Sequence, residues 1–357
     1  MQTNNTNNKT SMKTKSNLST SILALLCAAT TASADIGYQF VNVGNEGNAN
    51  DSSTGSLYGG VSYNYSIGKY DVTLNQYTAF LNVVAQTDTY GLYNGNMGTN
   101  ANIIGISRSG VSGSYSYAVI GDGQCPVTYV SWFDAARMAN WMHNGQPTGL
   151  GEVAGSTEQG AYTLNGLTSG NNISKNGNAA DWIPTESEWY KAAYYDPFLN
   201  AGAGGYWTYA TGHTGPESGI GNNYLNPTVA NQANYEASGY FAVTQQYGYN
   251  PLQNYLTPVG AFTNSASTYG TYDQNGDVWN WNDTAAGDSG RILRGGAWNI
   301  VDPRVLQSSF SDFGYDSTVE TYNVGFRLAT PEPASTVLLL GGGALLALRR
   351  RRSPAGA

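Results

Sequence analysis

Charge is scarce in this chain of 357 residues: Asp, Glu, Lys and Arg together make up 11%, roughly half the usual quarter. Basic residues are concentrated at the ends, with Lys9, Lys13 and Lys15 near the N-terminus and Arg349 to Arg352 near the C-terminus. The central region therefore has no Lys/Arg patch with which to hold a phosphate backbone, and the formal net charge is -8; both features exclude nucleic-acid binding. Histidine is limited to His143 and His213, far apart in sequence, so a two-histidine metal site is not expected. Cysteine is limited to Cys27 and Cys125. Cys27 falls in an apolar N-terminal run, and if that run is removed Cys125 has no intrachain partner. Cys125 is then a reactive thiol, an attachment point, or a small apolar residue beside Pro126, the last being the favoured reading.

In place of charge the chain has 45 glycines, 27 tyrosines and abundant asparagine, so amides and hydroxyls solvate its surface. The two ends read as addresses. Three lysines, the apolar run beginning at Leu18, and Ala32-Ser33-Ala34 before Asp35 form a secretory signal peptide over residues 1–34, cleaved after Ala34. A lipoprotein signal at Cys27 is the competing reading, disfavoured because Leu26 rather than a small residue precedes it. At the other end Pro331-Glu332-Pro333 leads into an apolar segment of 15 residues, Ala334 to Leu348, and then the arginines. As a helix that segment spans about 22 Å, short of a roughly 30 Å hydrocarbon core, and the arginines would hold it on the cytoplasmic side. Residues 331–357 resemble the PEP-CTERM sorting signal, with an ordinary membrane anchor as the alternative. That resemblance implies an exosortase-type sorting protease as partner, a Gram-negative host, and delivery to the outer surface or exopolysaccharide matrix. Membrane attachment would be transient and only through this segment.

Between the ends, residues 35–62 read as an N-terminal strand (Tyr38 to Val43) and link, and residues 63–330 as one domain. Three helices announce themselves by capping boxes: Thr73 with Gln76 before Leu74 to Ala85, Ser131 with Asp134 before a run to His143, and Thr185 with Glu188 before a run stopped by Pro197. Leu74, Tyr77, Phe80 and Val84 make an apolar stripe at helical spacing. Glu186 and Glu188 are two apart on the third helix and do not face each other, so capping and dipole compensation explain them better than acid/base catalysis. Short strands are expected at Tyr63 to Tyr70, Ile103 to Ile106, Tyr115 to Ile120 and Tyr162 to Leu164. The long low-charge region Ala201 to Gly270 must be pinned by a cation, aromatic clusters or amide networks.

The stretch Tyr272 to Trp298 alternates large aromatics (Trp279, Trp281, Trp298) with Asn275, Gly276, Asp277, Asn280 and Gly295-Gly296. That mixture suits a rigid loop core held by carbonyls, amides or a hard cation.

Read in order, the landmarks are G-K-Y-D-V-T-x-x-Q-Y-x-x-F-L, P-V-T-Y-V-S-W-F-D-A, I-P-T-E-S-E-W-Y-K-A-A, A-N-Y, T-P-V-G-A-F, N-G-D-V-W-N-W, R-G-G-A-W and N-V-G-F-R. Over Tyr63 to Ala329 this series resembles the formylglycine-generating enzyme, or sulfatase-modifying factor, family. The resemblance implies an α+β, C-type-lectin-like fold with few helices, short strands and long structured loops. It also implies calcium, here through Asn275 or Asp277, the carbonyls of Gly276 and Val278, and Asn280, which replaces the family's glutamate. A second calcium site would use Asn234 and the carbonyl of Tyr235. The family's copper-binding cysteines correspond to Ile300 and Val305, and a soft copper(I) site cannot be built from Ile and Val, so copper is not expected. Iron-dependent sulfoxide synthases share the domain but require a histidine-rich companion that two histidines do not supply.

The expectation is an exported, non-catalytic domain whose Tyr- and Asn-rich loops bind exopolysaccharide or surface proteins. A pocket is expected around Trp298, Asn299, Asp302 and Arg304. The alternative is an enzyme of altered, oxidoreductase-like chemistry using those residues with Ser308 or Ser309.

Overall fold

The computed structural model describes residues 36–211, 219–310 and 314–332. The expected signal peptide with its Ala34 site, His213, and the expected sorting segment from Pro333 onward lie outside the described residues. Within them no helix is long and apolar enough to cross a membrane.

The three capped helices form where their boxes place them: α1 (Leu74–Val84), α2 (Trp132–His143) and α3 (Glu186–Tyr194). In each, the Ser or Thr oxygen accepts the N3 amide while the N3 side chain takes the cap residue's own N–H. This satisfies two donors that the first helical turn cannot. Leu74, Tyr77, Phe80, Leu81 and Val84 are buried along α1, as the spacing requires. α3 ends before Pro197, because Tyr195 turns extended and pairs as β5 (Tyr195–Asp196) with β6 (Gly205–Tyr206).

The remaining strands are short and fall into small sheets, giving the mixed α+β fold expected. β1 (Phe40–Val43) and the C-terminal β13 (Ala329–Pro331) both pair antiparallel with β2 (Tyr65–Gly68), so one strand receives both ends of the domain. Pro331 of the Pro-Glu-Pro tripeptide thus stands opposite Tyr65, and Glu332 follows it. β3 (Ile106–Ser109) with β4 (Ser116–Val119), and β7 (Glu236–Ala237) with β8 (Tyr240–Phe241), are two-stranded hairpins. The last sheet has the order β11 (Tyr315–Asp316), β10 (Gly290–Arg294), β9 (Trp279–Ala286), β12 (Val324–Gly325), with β9 and β12 parallel.

Three strand expectations need correction. The stretch beginning at Trp279 is a strand rather than a rigid loop; Trp279, Asn280, Trp281 and Asn282 are all buried, and its polar face is turned inward, with Asn280 on Trp189 and Arg327 instead of water. Tyr162 to Leu164 makes only one isolated bridge, because the Asn140 side chain, bonding both Tyr162 N and Tyr162 O, takes the place of a neighbouring strand. The strand expected at Ile103 begins at Ile106, since Ile103 closes a turn onto Asn100.

The few charges are used inside. Arg137–Glu158, Arg291–Asp283, Arg294–Glu186 and Arg327–Asp71 are buried ion pairs. Glu188 takes Tyr63 Oη, Trp182 Nε1 and its own cap, a structural use of that carboxylate. Arg327 bonds four different residues. Its Nη2 reaches Asp71 Oδ1 at 2.7 Å and the Tyr272 carbonyl at 2.9 Å, its Nη1 the Gly68 carbonyl at 3.1 Å, and its Nε the Asn280 Oδ1 at 2.8 Å. Replacing Arg327 with Met leaves Asp71 buried and unpaired, and is expected to lower unfolding free energy by about 3–5 kcal/mol in urea titration. Adding Asp71→Asn should recover part of that loss.

Candidate functional site

β10 ends at Arg294, and the chain reverses through Gly295 (φ 103°) and Gly296 (φ 77°). Both are left-handed conformations that glycine adopts without penalty, and a Cβ on Gly295 would stand 2.9 Å from the Gln274 carbonyl. This turn brings Trp298 back so that its N–H donates to the Asp277 carbonyl. The indole lies flat on Tyr255, with centroids 4.9 Å apart and planes 8° apart. Tyr249 stacks on Tyr255 in turn at 5.9 Å, Phe241 fills the angle at 4.4 Å from Tyr255, and Tyr322 stands 5.8 Å from Trp298. Offset stacking of this kind fixes ring positions beyond simple area burial.

These rings bound an open cavity of about 460 Å³, lined by Asn100, Asn102, Glu236, Phe241, Tyr249, Trp298, Asn299 and Tyr322. Asn299 Nδ2 donates to Tyr322 Oη and its Oδ1 accepts from Asn323, which orients the amide. Asn102 accepts from Tyr249 Oη and donates to the carbonyls of Asn250 and Gln253, tying the 249–253 loop to the wall. Glu236 is held by its backbone N–H on the Ile300 carbonyl. Among the described residues its carboxylate has no ion-pair or hydrogen-bond partner, and desolvation pushes that carboxyl above its ordinary value. The Trp298 indole N–H, in a residue 3% exposed, also has no partner. Two larger clefts, about 560 and 530 Å³, lie beside α1 and between its end and residues 149–153. Neither is lined by the R-G-G-A-W segment or the stacked rings.

Of the four pocket residues expected from sequence, Trp298 and Asn299 line the cavity. Asp302 and Arg304 do not: they form a solvent-exposed pair with each other at 2.6 Å, Asp302 capping a short 3-10 turn. Ile300 and Val305 pack half-buried against the core, and neither offers a metal donor. Ser308 is buried with its carbonyl facing Arg294, and Ser309 is exposed. Cys125 is buried, and burial drives its thiol far above its ordinary value, which keeps it protonated and unreactive. His143 accepts the Ala180 N–H at Nδ1.

The residues implied for calcium do not fit a cation. Asn280 Oδ1 accepts from Trp189 Nε1 at 2.9 Å and from the Arg327 guanidinium, so a positive group already faces it. Its Nδ2 donates to the Val278 carbonyl. Asn275 accepts from Ala210 N and donates to the Leu306 carbonyl. Asp277 is buried, with Oδ1 accepting from Asn234 Nδ2 and Thr257 N, and Oδ2 from the Thr257 hydroxyl. Burial and neighbouring Asp273 push its carboxyl well above the usual range. Gly276 packs so closely on the Asn234 backbone that a Cβ would overlap the Asn234 carbonyl. The Tyr235 carbonyl takes the Asn222 amide. Among the described residues, no group of three or more His, Cys, Asp or Glu is placed to hold a metal.

Sequence reasoning missed Asn100, Asn102, Glu236, Phe241, Tyr249 and Tyr322. Two carried a usable signal: Glu236 directly follows the A-N-Y motif, and Tyr322 directly precedes N-V-G-F-R. The others come from loops without a motif.

Comparison with known proteins places this geometry. The chain is 27% identical over 171 residues to hercynine oxygenase of Mycolicibacterium smegmatis, covering 41% of this chain and 32% of that protein. The match thus spans about a third of the relative's length. Among solved structures, CarF is 19% identical, with a TM-score of 0.45 over 83% of this chain and 99% of that one. Treponema denticola variable protein 1 is 18% identical, with a TM-score of 0.47 over 84% and 98%. The family model described as the sulfatase-modifying factor enzyme 1-like domain matches residues 58–331, the span that contains every landmark motif, the two-glycine turn and the Trp298 cavity, and the chain belongs to that family.

Proposed function

We propose that this chain is a non-catalytic member of its family that binds glycan in the Trp298 cavity. In this reading it is exported by its N-terminal signal and displayed at the cell surface or in the exopolysaccharide matrix through the PEP-CTERM segment. The observation that carries the reading is the lining itself: aromatic rings at its edge and oriented amides in its wall. Sugars present apolar C–H faces that stack on rings and hydroxyls that bond amides. Tyr249 and Tyr322 are 58% and 37% exposed, so their faces are available without unfolding any part of the wall. The lining holds no thiol, imidazole or amine, and the hydroxyls of Tyr249 and Tyr322 bond Asn102 and Asn299 rather than the Glu236 carboxylate.

The alternative, an oxidoreductase of altered chemistry in the same cavity, draws support from the relative named as an oxygenase. It lacks support from Ile300 and Val305, whose side chains hold neither metal nor electrons.

A glycan array followed by calorimetry on the full chain tests the binding reading. Tyr322→Ala and Tyr249→Ala are each expected to weaken glycan binding about two- to tenfold with little change in melting temperature. Absence of any glycan binding, together with metal-dependent turnover of a thiol substrate, overturns it in favour of the alternative.

The arginine and amide network around Asn280 takes the place of a cation in this reading. EDTA is therefore expected to leave the melting temperature unchanged, whereas a calcium-dependent rise of several degrees would show a bound ion.

A further inference from the structure

The Trp298 cavity is lined by one charged side chain, Glu236, whose carboxylate has no ion-pair or hydrogen-bond partner among the described residues. Asp71, Glu158, Asp283 and Glu186, by contrast, carry buried guanidinium partners. The lining includes no Lys or Arg, and the exposed Arg304 is paired with Asp302. The cavity therefore presents a negative charge beside the faces of Trp298, Tyr249 and Tyr322. Ring faces and a carboxylate attract the same kind of group, an ammonium held over a ring and against an anion. They repel the opposite kind, so a uronate or sulfated sugar would meet Glu236 unfavourably.

We propose that the cavity selects a glycan residue bearing a free, positively charged amine, with Glu236 as its ionic partner and the exposed tyrosine faces beneath the sugar. This rests on the glycan-binding reading above and narrows it from glycans in general to amino sugars. The oriented amide of Asn299 takes a neighbouring hydroxyl, and the amine fixes which ring enters. The partial burial of Glu236 strengthens the pairing, because charges interact more strongly as water is removed. Screening by salt still reaches so open a cavity.

The test compares glucosamine oligomers with N-acetylglucosamine oligomers of the same length and with alginate oligomers, by calorimetry on the full chain at two salt concentrations. Glucosamine oligomers are expected to bind about tenfold more tightly than the acetylated series at low salt, the size of one ion pair in a partly solvated site, and alginate not at all. Raising salt should shrink the preference. Glu236→Gln keeps the backbone bond to Ile300; it is expected to abolish the preference, so that the two series bind alike. Equal affinity for both neutral and amino oligomers, or a preference that survives Glu236→Gln, overturns amine selection and leaves the glycan pocket standing. Tighter binding of alginate overturns it as well. No binding of any oligomer by the unsubstituted chain overturns the glycan reading itself, and amine selection with it.

Discussion

The guanidinium of Arg327 is the point on which the domain closes. It arrives two residues after β12 and reaches the end of β2, the 272 loop and the start of β9 at once. Each of those segments is short, and none has a ladder of hydrogen bonds long enough to hold itself. A planar donor with a fixed fork suits this task better than an ammonium would. Burying it is tolerable only because Asp71 is there to balance the charge and carbonyls take the remaining donors. Asn280 matters for the same reason. A glutamate there would add a second anion to the node, whereas the amide accepts from Arg327 and from Trp189 without adding charge.

From that node the path to the cavity is short. Asn280 lies on β9, β9 pairs with β10, and β10 leads into the two-glycine turn that returns Trp298 to the Asp277 carbonyl. Asp277 in turn holds Asn234 and Thr257, which flank the loops bearing Glu236 and Tyr255. The ring stack is therefore fixed from behind by a polar network and in front by its own contacts. Loops that carry variable side chains on such a frame are well suited to recognition.

The sequence made some of this legible and hid the rest for identifiable reasons. The helices could be read because Thr73, Ser131 and Thr185 state their starts chemically, three residues before their partners. The family could be read because the motif residues sit at the framework itself: Asp71, Asn280, Gly295, Gly296 and Arg327. The strand at Trp279 is obscured because the asparagines of its second face bond buried groups rather than solvent. The cavity was half legible. Trp298 and Asn299 follow the R-G-G-A-W motif directly, but Tyr249, Phe241 and Asn102 come from loops whose convergence no local pattern encodes. Asp302 and Arg304 misled because a charged pair close to a motif looks like a site, while at a spacing of two residues the pair satisfies itself at the surface.

Framework and chemistry are also separable in this fold, which bears on how such a chain could keep a pocket while changing its use. Ile300 and Val305 face the core beyond the turn, where they add apolar contact and remove any donor to a soft metal. Trp298, two residues earlier, is held by the Asp277 carbonyl and by Tyr255, neither of which involves positions 300 or 305. Substituting those two positions therefore leaves the wall of the cavity in place and changes only what lies beneath one edge. The rings and the one carboxylate of the lining come from residues that make no hydrogen bond to Arg327.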